Sequence, residues 1–235
     1  GTGTRTVNVV VDTTAPVITS GTTGTNLAEN SGVGQTVYTI NATDAVGVTS
    51  YAIGGDDVGR LTLAGKVVTL NDNPNYETKS SYSFTVTASD EAVNASAATA
   101  VTFSVTNVND VPTGTLVIIG MAAEDQTLTA ETSAIADEDG LGNLSYQWSR
   151  DGSDIAGATT MNYTLGQSDV GKTVRVTASY TDGDGTAESV ISVATDAVAN
   201  VNDVPTGTVT ISGTVTEDEV LTASNTQSDE DGLGP

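Results

Sequence analysis

The side chains of this 235-residue chain that could do chemistry in any number are carboxylates and carboxamides. There is no His and no Cys, and Asp+Glu total 30 against 7 Lys+Arg, a formal charge of −23. A Ser or Thr nucleophile would lack its usual base, and thiolate chemistry is excluded. Two carboxylates can hydrolyse a glycoside, but the acidic pairs here lie in turns, away from any aromatic-lined cleft. What the acids do form is clusters: "DEDG" with Asp137, Glu138 and Asp139, "DGDG" with Asp182 and Asp184, and "DEDG" again with Asp229, Glu230 and Asp231. A nine-residue stretch, "NVNDVPTGT", is copied letter for letter at 107–115 and 200–208, 93 positions apart. Oxygen donors without nitrogen or sulfur suit a hard cation. Calcium takes six to eight such ligands in irregular geometry, whereas magnesium wants a tight octahedron and keeps its waters.

Something must bring these turns together. Alternating apolar and polar residues at 6–11, 35–40, 83–88, 100–105, 144–148, 173–180 and 189–193 read as strands with one wet face. Thr, Val, Ala, Ser and Gly dominate, there are two Phe and one Trp, and no helix pattern stands out. Short strands at this spacing, separated by Gly-, Asn- and Asp-rich turns, make β-sandwiches. The repeated nonapeptide is too polar to be a core and reads as a joint. The parse is a last strand of a preceding domain at 1–12, a complete sandwich at 13–110, a second at 111–203 and the start of a third at 204–235. In that last piece "PTGTVTISGTVTEDEVLTA" follows "PTGTLVIIGMAAEDQTLTA" at the same 93-residue offset. The chain is then expected to be a piece of something longer, and 204–235 alone is too short to bury a core.

Sandwich geometry sorts the acids. The loops after the second and sixth strands return to the end where the chain comes in, so Asp137, Glu138, Asp139, Asp182 and Asp184 are expected beside the linker that carries Asn107, Asn109 and Asp110. The preceding domain offers Glu29 in "AEN" and Glu77 in "NYET" at its far end. At the next joint Glu124 in "AED", with Asp169 as a further candidate, is expected with Asn200, Asn202, Asp203, Asp229, Glu230 and Asp231. Upstream, Asp12 is expected with Asp44 and Asp90, a poorer site because Val46 stands where a second acid would strengthen the loop. So much negative charge at joints would drive domains apart unless a cation bound there.

In successive order, "LAENSGVGQTVYTINATD", "LNDNPNYETKSSYSFTVTASD" and "NVNDVP" resemble a bacterial cadherin-like repeat over 13–112. Residues 113–206, with "DEDGLGNLSYQWSRDG", "DVGKTVRVTASYTDGDGTAES" and the segments between, resemble the Ig-like repeats of giant RTX-type adhesins of Gram-negative bacteria. The resemblance implies an all-β chain of tandem Ig-like and cadherin-like Greek-key sandwiches joined end to end. It aligns Glu29, Glu77, Asn109 and Asp110 with calcium ligands at one end of the first repeat, and Asp44 and Asp90 with ligands at the other. A cadherin linker normally begins with Asp and carries Asn after "ND"; Asn107, Asn200, Val111 and Val204 depart from that and imply fewer than three ions per joint.

The acidic surface argues against nucleic acid, and no apolar run is long enough to span a membrane. Neither a signal peptide, an EF-hand nor a tandem RTX nonapeptide is present in the sequence. Trp148 in "SYQWSR" is expected in a core. The expected function is a secreted, monomeric, calcium-stiffened spacer of a cell-surface adhesin, used in cell adhesion or biofilm formation, its partners being calcium and neighbouring repeats of the same chain. The alternative is a carbohydrate- or protein-binding module of an exported multidomain protein, with Tyr51, Tyr76, Tyr82, Tyr146 and Tyr163 as stacking surfaces.

Overall fold

A computed structural model describes residues 11–233 of the chain. The strand expected at 6–11, and the domain end expected at 1–12, fall almost wholly outside the described residues. The chain divides into two compact units that part between Asn109 and Asp110.

The first unit contains β1 (Val17–Ile18), β2 (Leu27–Ala28), β3 (Thr36–Thr39), β4 (Ala42–Thr43), β5 (Ser50–Gly54), β6 (Leu61–Ala64), β7 (Val67–Leu70), β8 (Ser81–Ser89) and β9 (Thr99–Thr106). One sheet runs β2-β9-β8-β5 and the other β3-β7-β6, with β1 pairing with β4. Only the β2–β9 pairing is parallel among these. Strict alternation in β8 and β9 buries Tyr82, Phe84, Val86 and Ala88 from one strand and Val101, Phe103 and Val105 from the other. Val37, Leu61, Val68 and Leu70 answer them from the facing sheet. Phe84 sits at the crossing, edge-on to Tyr38 at 5.9 Å and to Phe103 at 6.5 Å between centroids, while Tyr82 stacks on Phe103 at 4.8 Å.

The second unit contains β10 (Val117–Ile119), β11 (Thr127–Glu131), β12 (Ser145–Arg150), β13 (Ser153–Asp154), β14 (Asn162–Thr164), β15 (Val174–Thr181), β16 (Ala187–Ile191), β17 (Val209–Ser212) and β18 (Thr222–Asn225). Its sandwich is β10-β11-β14 over β13-β12-β15-β16. Trp148 on β12 is fully buried, as expected; its indole N–H donates to the Thr160 carbonyl at 2.9 Å, and its ring stacks with Tyr163 at 5.6 Å. Leu128, Leu165, Val174 and Val176 complete the core around it. The hairpin β17–β18 repeats the register of β10–β11, with Ile211 opposite Ala223 as Ile118 is opposite Ala130. Its counterpart of the buried Leu128, Leu221, is 48% exposed, and no described residue beyond 203 is buried.

Helical structure among the described residues amounts to two 3-10 turns, Val58–Arg60 and Gln167–Asp169. No helix there is long and apolar enough to cross a membrane.

Truncating Phe84 to Ala opens a void at the centre of the first core and is expected to cost that unit about 3–5 kcal/mol. Trp148 is the chain's one tryptophan. In urea with chelator present, far-UV circular dichroism should show an earlier first transition while the tryptophan-fluorescence midpoint stays in place. Equal movement of both midpoints would mean the two cores do not fold independently.

Candidate metal centres

The two copies of the repeated stretch adopt the same local structure, which explains the repeat better than any side-chain ligand does. Asp110 N–H donates to Asp139 Oδ2 at 2.6 Å, and Asp203 N–H to Asp231 Oδ2 at 2.7 Å. Three residues on, Thr113 N–H donates to the Ala136 carbonyl and Thr206 N–H to the Ser228 carbonyl, both at 2.7 Å. Gly114 and Gly207 follow at φ 87° and 89°. A Cβ at either would lie 1.8 Å from the Ala134 oxygen or 2.1 Å from the Thr226 oxygen, so both conformation and space demand glycine.

In the first unit Glu29 is 3% exposed at the end of β2. Its Oε1 accepts from Val108 N–H at 2.6 Å and its Oε2 from Tyr76 N–H at 2.8 Å. Glu77 brings a carboxylate oxygen within 4.8 Å of it, and the Asn107 amide reaches Glu77 at 3.5 Å. Asn109 is exposed at the end of this unit. At the opposite end, Asp12, Asp44 and the 3%-exposed Asp90 place oxygens within 4.8 Å of one another. The turn after Asp90 folds Asn94 back, so that its backbone and side-chain nitrogens donate to Asp90 at 2.9 and 2.8 Å and its amide also to the Asp12 carbonyl at 3.2 Å. That turn holds Val93, a β-branched residue, at φ 66°, a strained conformation. Burial works against the charge on Asp90, but the Asn94 hydrogen bonds outweigh it and hold the carboxyl below its ordinary range. Val46 supplies no acid, but its backbone N–H donates to Asp44 at 2.8 Å and shapes the loop.

In the second unit the two expected loops meet, with Gly183 N–H donating to the Asp139 carbonyl at 3.0 Å. Asp139 and Asp184 carry oxygens within 4.8 Å of each other. Asp137 accepts from Asp139 N–H at 3.0 Å and from the Tyr180 hydroxyl, so it braces the loop. Asp182, 7% exposed, accepts at Oδ1 from the N–H groups of Asp184 and Thr186.

The next linker is organised in the same way. Glu124, 2% exposed, accepts at Oε2 from Val201 N–H at 3.3 Å and lies with Asp203 and Asp231 inside 4.8 Å. Asp229 accepts from Asp231 N–H at 3.0 Å. Asn202 turns its amide nitrogen to the Asp203 carbonyl, and Asn200 is exposed on the linker. Burial pushes the Glu124 carboxyl up; the Val201 N–H offsets part of this, and the charges of Asp203, Asp231 and Asp125 add to the rise. Asp203 is raised by burial and then by Asp231, Asp125 and Asp229.

These donor sets fit a hard divalent cation. All are oxygens, several on buried carboxylates. Asp12 and Asp182 each keep a buried Oδ2 that accepts no hydrogen bond. An anionic oxygen withdrawn from water without a donor is costly, and a cation beside it removes the cost.

Asp169 departs from expectation. It is 1% exposed and committed to Arg150 at 2.5 Å, to the Tyr163 hydroxyl at 2.9 Å and to Gly166 N–H at 3.0 Å, which leaves it no part in the Glu124 cluster. Of the five tyrosines considered as stacking surfaces, Tyr82 is buried, Tyr51, Tyr146 and Tyr163 are half-buried, and Tyr76 alone is exposed, at 39%. Sequence reasoning missed Asn94 and Gln167, the latter lying against Glu124. The only sequence signal for either was its position in a turn next to an acid.

No protein-family profile and no curated protein matches the chain. Among solved structures, extracellular cadherin domains 3–6 of protocadherin gamma B2 superpose with a TM-score of 0.50 at 19% identity, over 93% of this chain and 56% of that one. The fold is cadherin-like. Domains EC1-2 of human protocadherin-24 give a TM-score of 0.45 at 17% identity over 81% of this chain and 99% of theirs. The human desmocollin-1 ectodomain gives 0.42 at 15% over 91% and 46%. The chain thus spans little over half of the protocadherin gamma B2 structure, and at such identity the likeness is one of fold alone.

Because Glu124 and Asp203 hold protons more tightly folded than unfolded, the stability they contribute is present at low pH and is lost as pH rises through their raised values. In chelator, the urea midpoint read from Trp148 fluorescence should fall as pH rises above the ordinary carboxylate range. Glu124→Gln should flatten that fall; an unchanged slope would remove Glu124 from the account.

Proposed function

We propose that this segment is a calcium-stiffened spacer of a secreted RTX-type adhesin on the surface of a Gram-negative bacterium. Tandem sandwiches hold a terminal binding domain away from the cell for adhesion or biofilm formation. One observation carries the reading. Val108 is tied through its backbone to buried Glu29 in the first unit, Asp110 to buried Asp139 in the second, and Val201 and Asp203 repeat both ties with Glu124 and Asp231. A linker whose backbone is hydrogen-bonded to these carboxylates senses any cation that they bind.

Calcium is the ion this chemistry selects. At the first linker Glu29, Glu77, Asn107, Asn109, Asp110, Asp137, Asp139, Asp182 and Asp184 supply or brace the ligands. Glu124, Asn200, Asn202, Asp203, Asp229 and Asp231 do so at the second, and Asp12, Asp44 and Asp90 upstream. A bound ion would offset the repulsion among these carboxylates. An ion that binds only the aligned arrangement stabilises it by RT ln(1 + [L]/Kd), about 2.7 kcal/mol at a hundredfold excess over Kd. Each sandwich then adds roughly 40 Å of reach, from about ten residues at ~3.3 Å plus a short linker. Pro112 and Pro205 restrict each linker's backbone. The carbohydrate-binding alternative is weakened because, of the tyrosines it needs, Tyr76 alone is exposed.

Small-angle scattering should give a larger maximum dimension in calcium than in chelator; identical profiles would refute hinge stiffening. Calorimetry on Asp110→Ala should show loss of binding at the first linker, while the component removed by Asp203→Ala persists. If both substitutions remove the same heat, the assignment of ligands to two separate joints is wrong.

A further inference from the structure

The carboxylate of Glu124 has a carboxamide neighbour, Gln167. The end of the Gln167 amide lies 2.6 Å from Oε1 and 3.1 Å from Oε2; an oxygen there would face only acceptors, so the nitrogen is assigned to that side, as donor to both. Gln167 is half-buried and opens the 3-10 turn in the segment leading into β15. In the first unit the segment leading into β8 carries Glu77, which brings a carboxylate to Glu29 instead. Where Glu29 has Glu77 from that segment, Glu124 has Gln167, in addition to Asp203 and Asp231.

We propose that Gln167 is a two-state ligand of the Glu124–Asp203–Asp231 site, its nitrogen facing Glu124 without metal and its oxygen facing the ion when calcium binds. This rests on the calcium reading above. An amide presents donors on one edge and an acceptor on the other, and the terminal side-chain torsion is broad and roughly two-fold, so one rotation exchanges them. Without the ion, Glu124 lies against Asp203 and Asp231 with one long backbone hydrogen bond, and the amide donors quiet its charge. Once a cation takes that charge, the same donors would face the cation, and the oxygen is the stable face. Calcium affinity in oxygen sites follows the number of charged ligands. Gln167 thereby sets this site weaker than a glutamate at the same place would, and the two linkers respond to different calcium concentrations.

The test uses the whole chain. In ¹H–¹⁵N spectra the Gln167 side-chain NH₂ pair, assigned by its loss in Gln167→Glu, should shift with calcium in step with the site that Asp203→Ala abolishes. By calorimetry, Gln167→Glu should tighten that site about tenfold and Gln167→Leu weaken it about tenfold, with the other sites unchanged. Static NH₂ signals, together with wild-type binding in both variants while Asp203→Ala still removes a site, would overturn the role of Gln167 and leave the calcium reading intact. If no calcium-dependent component is sensitive to Asp203→Ala, both fall.

Discussion

Like charges held close together by backbone hydrogen bonds are the constraint on which the rest of this molecule turns. Glu29, Asp90, Glu124, Asp139 and Asp182 are all buried, yet only 7 basic residues serve the whole chain. Among the described residues the salt bridges lie elsewhere: Arg60 with Asp72, Lys79 with Asp57, Arg150 with Asp169 and Lys172 with Asp151. The clustered acids are held by amide donors, mostly of the linkers and turns. Such donors orient a carboxylate and favour its charged form, but they do not neutralise its neighbours. Burial first, and then the neighbouring acids, raise the carboxyls of Glu124 and Asp203.

The sandwich makes this arrangement possible. Strands such as β8 and β15 bury alternate residues so regularly that the loops at their ends are fixed by a core built from small side chains and a few aromatic rings. Rigid strands project both acidic loops of the second unit to the same end, where Gly183 meets Asp139. The clustered carboxylates are therefore carried by turns, and the precision of their placement comes from the sheets behind them.

Alternation picked out β3, β8, β9, β12, β15 and β16 and passed over the shorter strands, whose few residues show no period; sandwich geometry brought the "DEDG" and "DGDG" loops together and put Trp148 in a core. The choice of partner within a cluster did not follow from them. Asp169 has the same neighbours in sequence as a ligand would have, but Arg150 and Tyr163 lie against it only because β12 and β14 bring them there. Asn94 and Gln167 escaped notice because a carboxamide in a turn is unremarkable until the fold shows which carboxylate it faces. The reason for the repeated nonapeptide was also hidden. Its side chains suggested ligands, whereas its most demanding positions are a glycine with no room for a Cβ and two backbone N–H donors.

That distinction separates two jobs within one joint. The nonapeptide fixes where the linker backbone runs, and its letters are the same in both copies because the hydrogen bonds are the same. The acids and amides around it differ: Glu77 beside Glu29 where Gln167 stands beside Glu124, and Tyr76 N–H bonding Glu29 with no matching backbone bond at Glu124. Charge at a joint can therefore change by substitution in a loop without disturbing the path of the chain. The backbone restraint and the charge count are thus set by different residues, so one can vary while the other is kept.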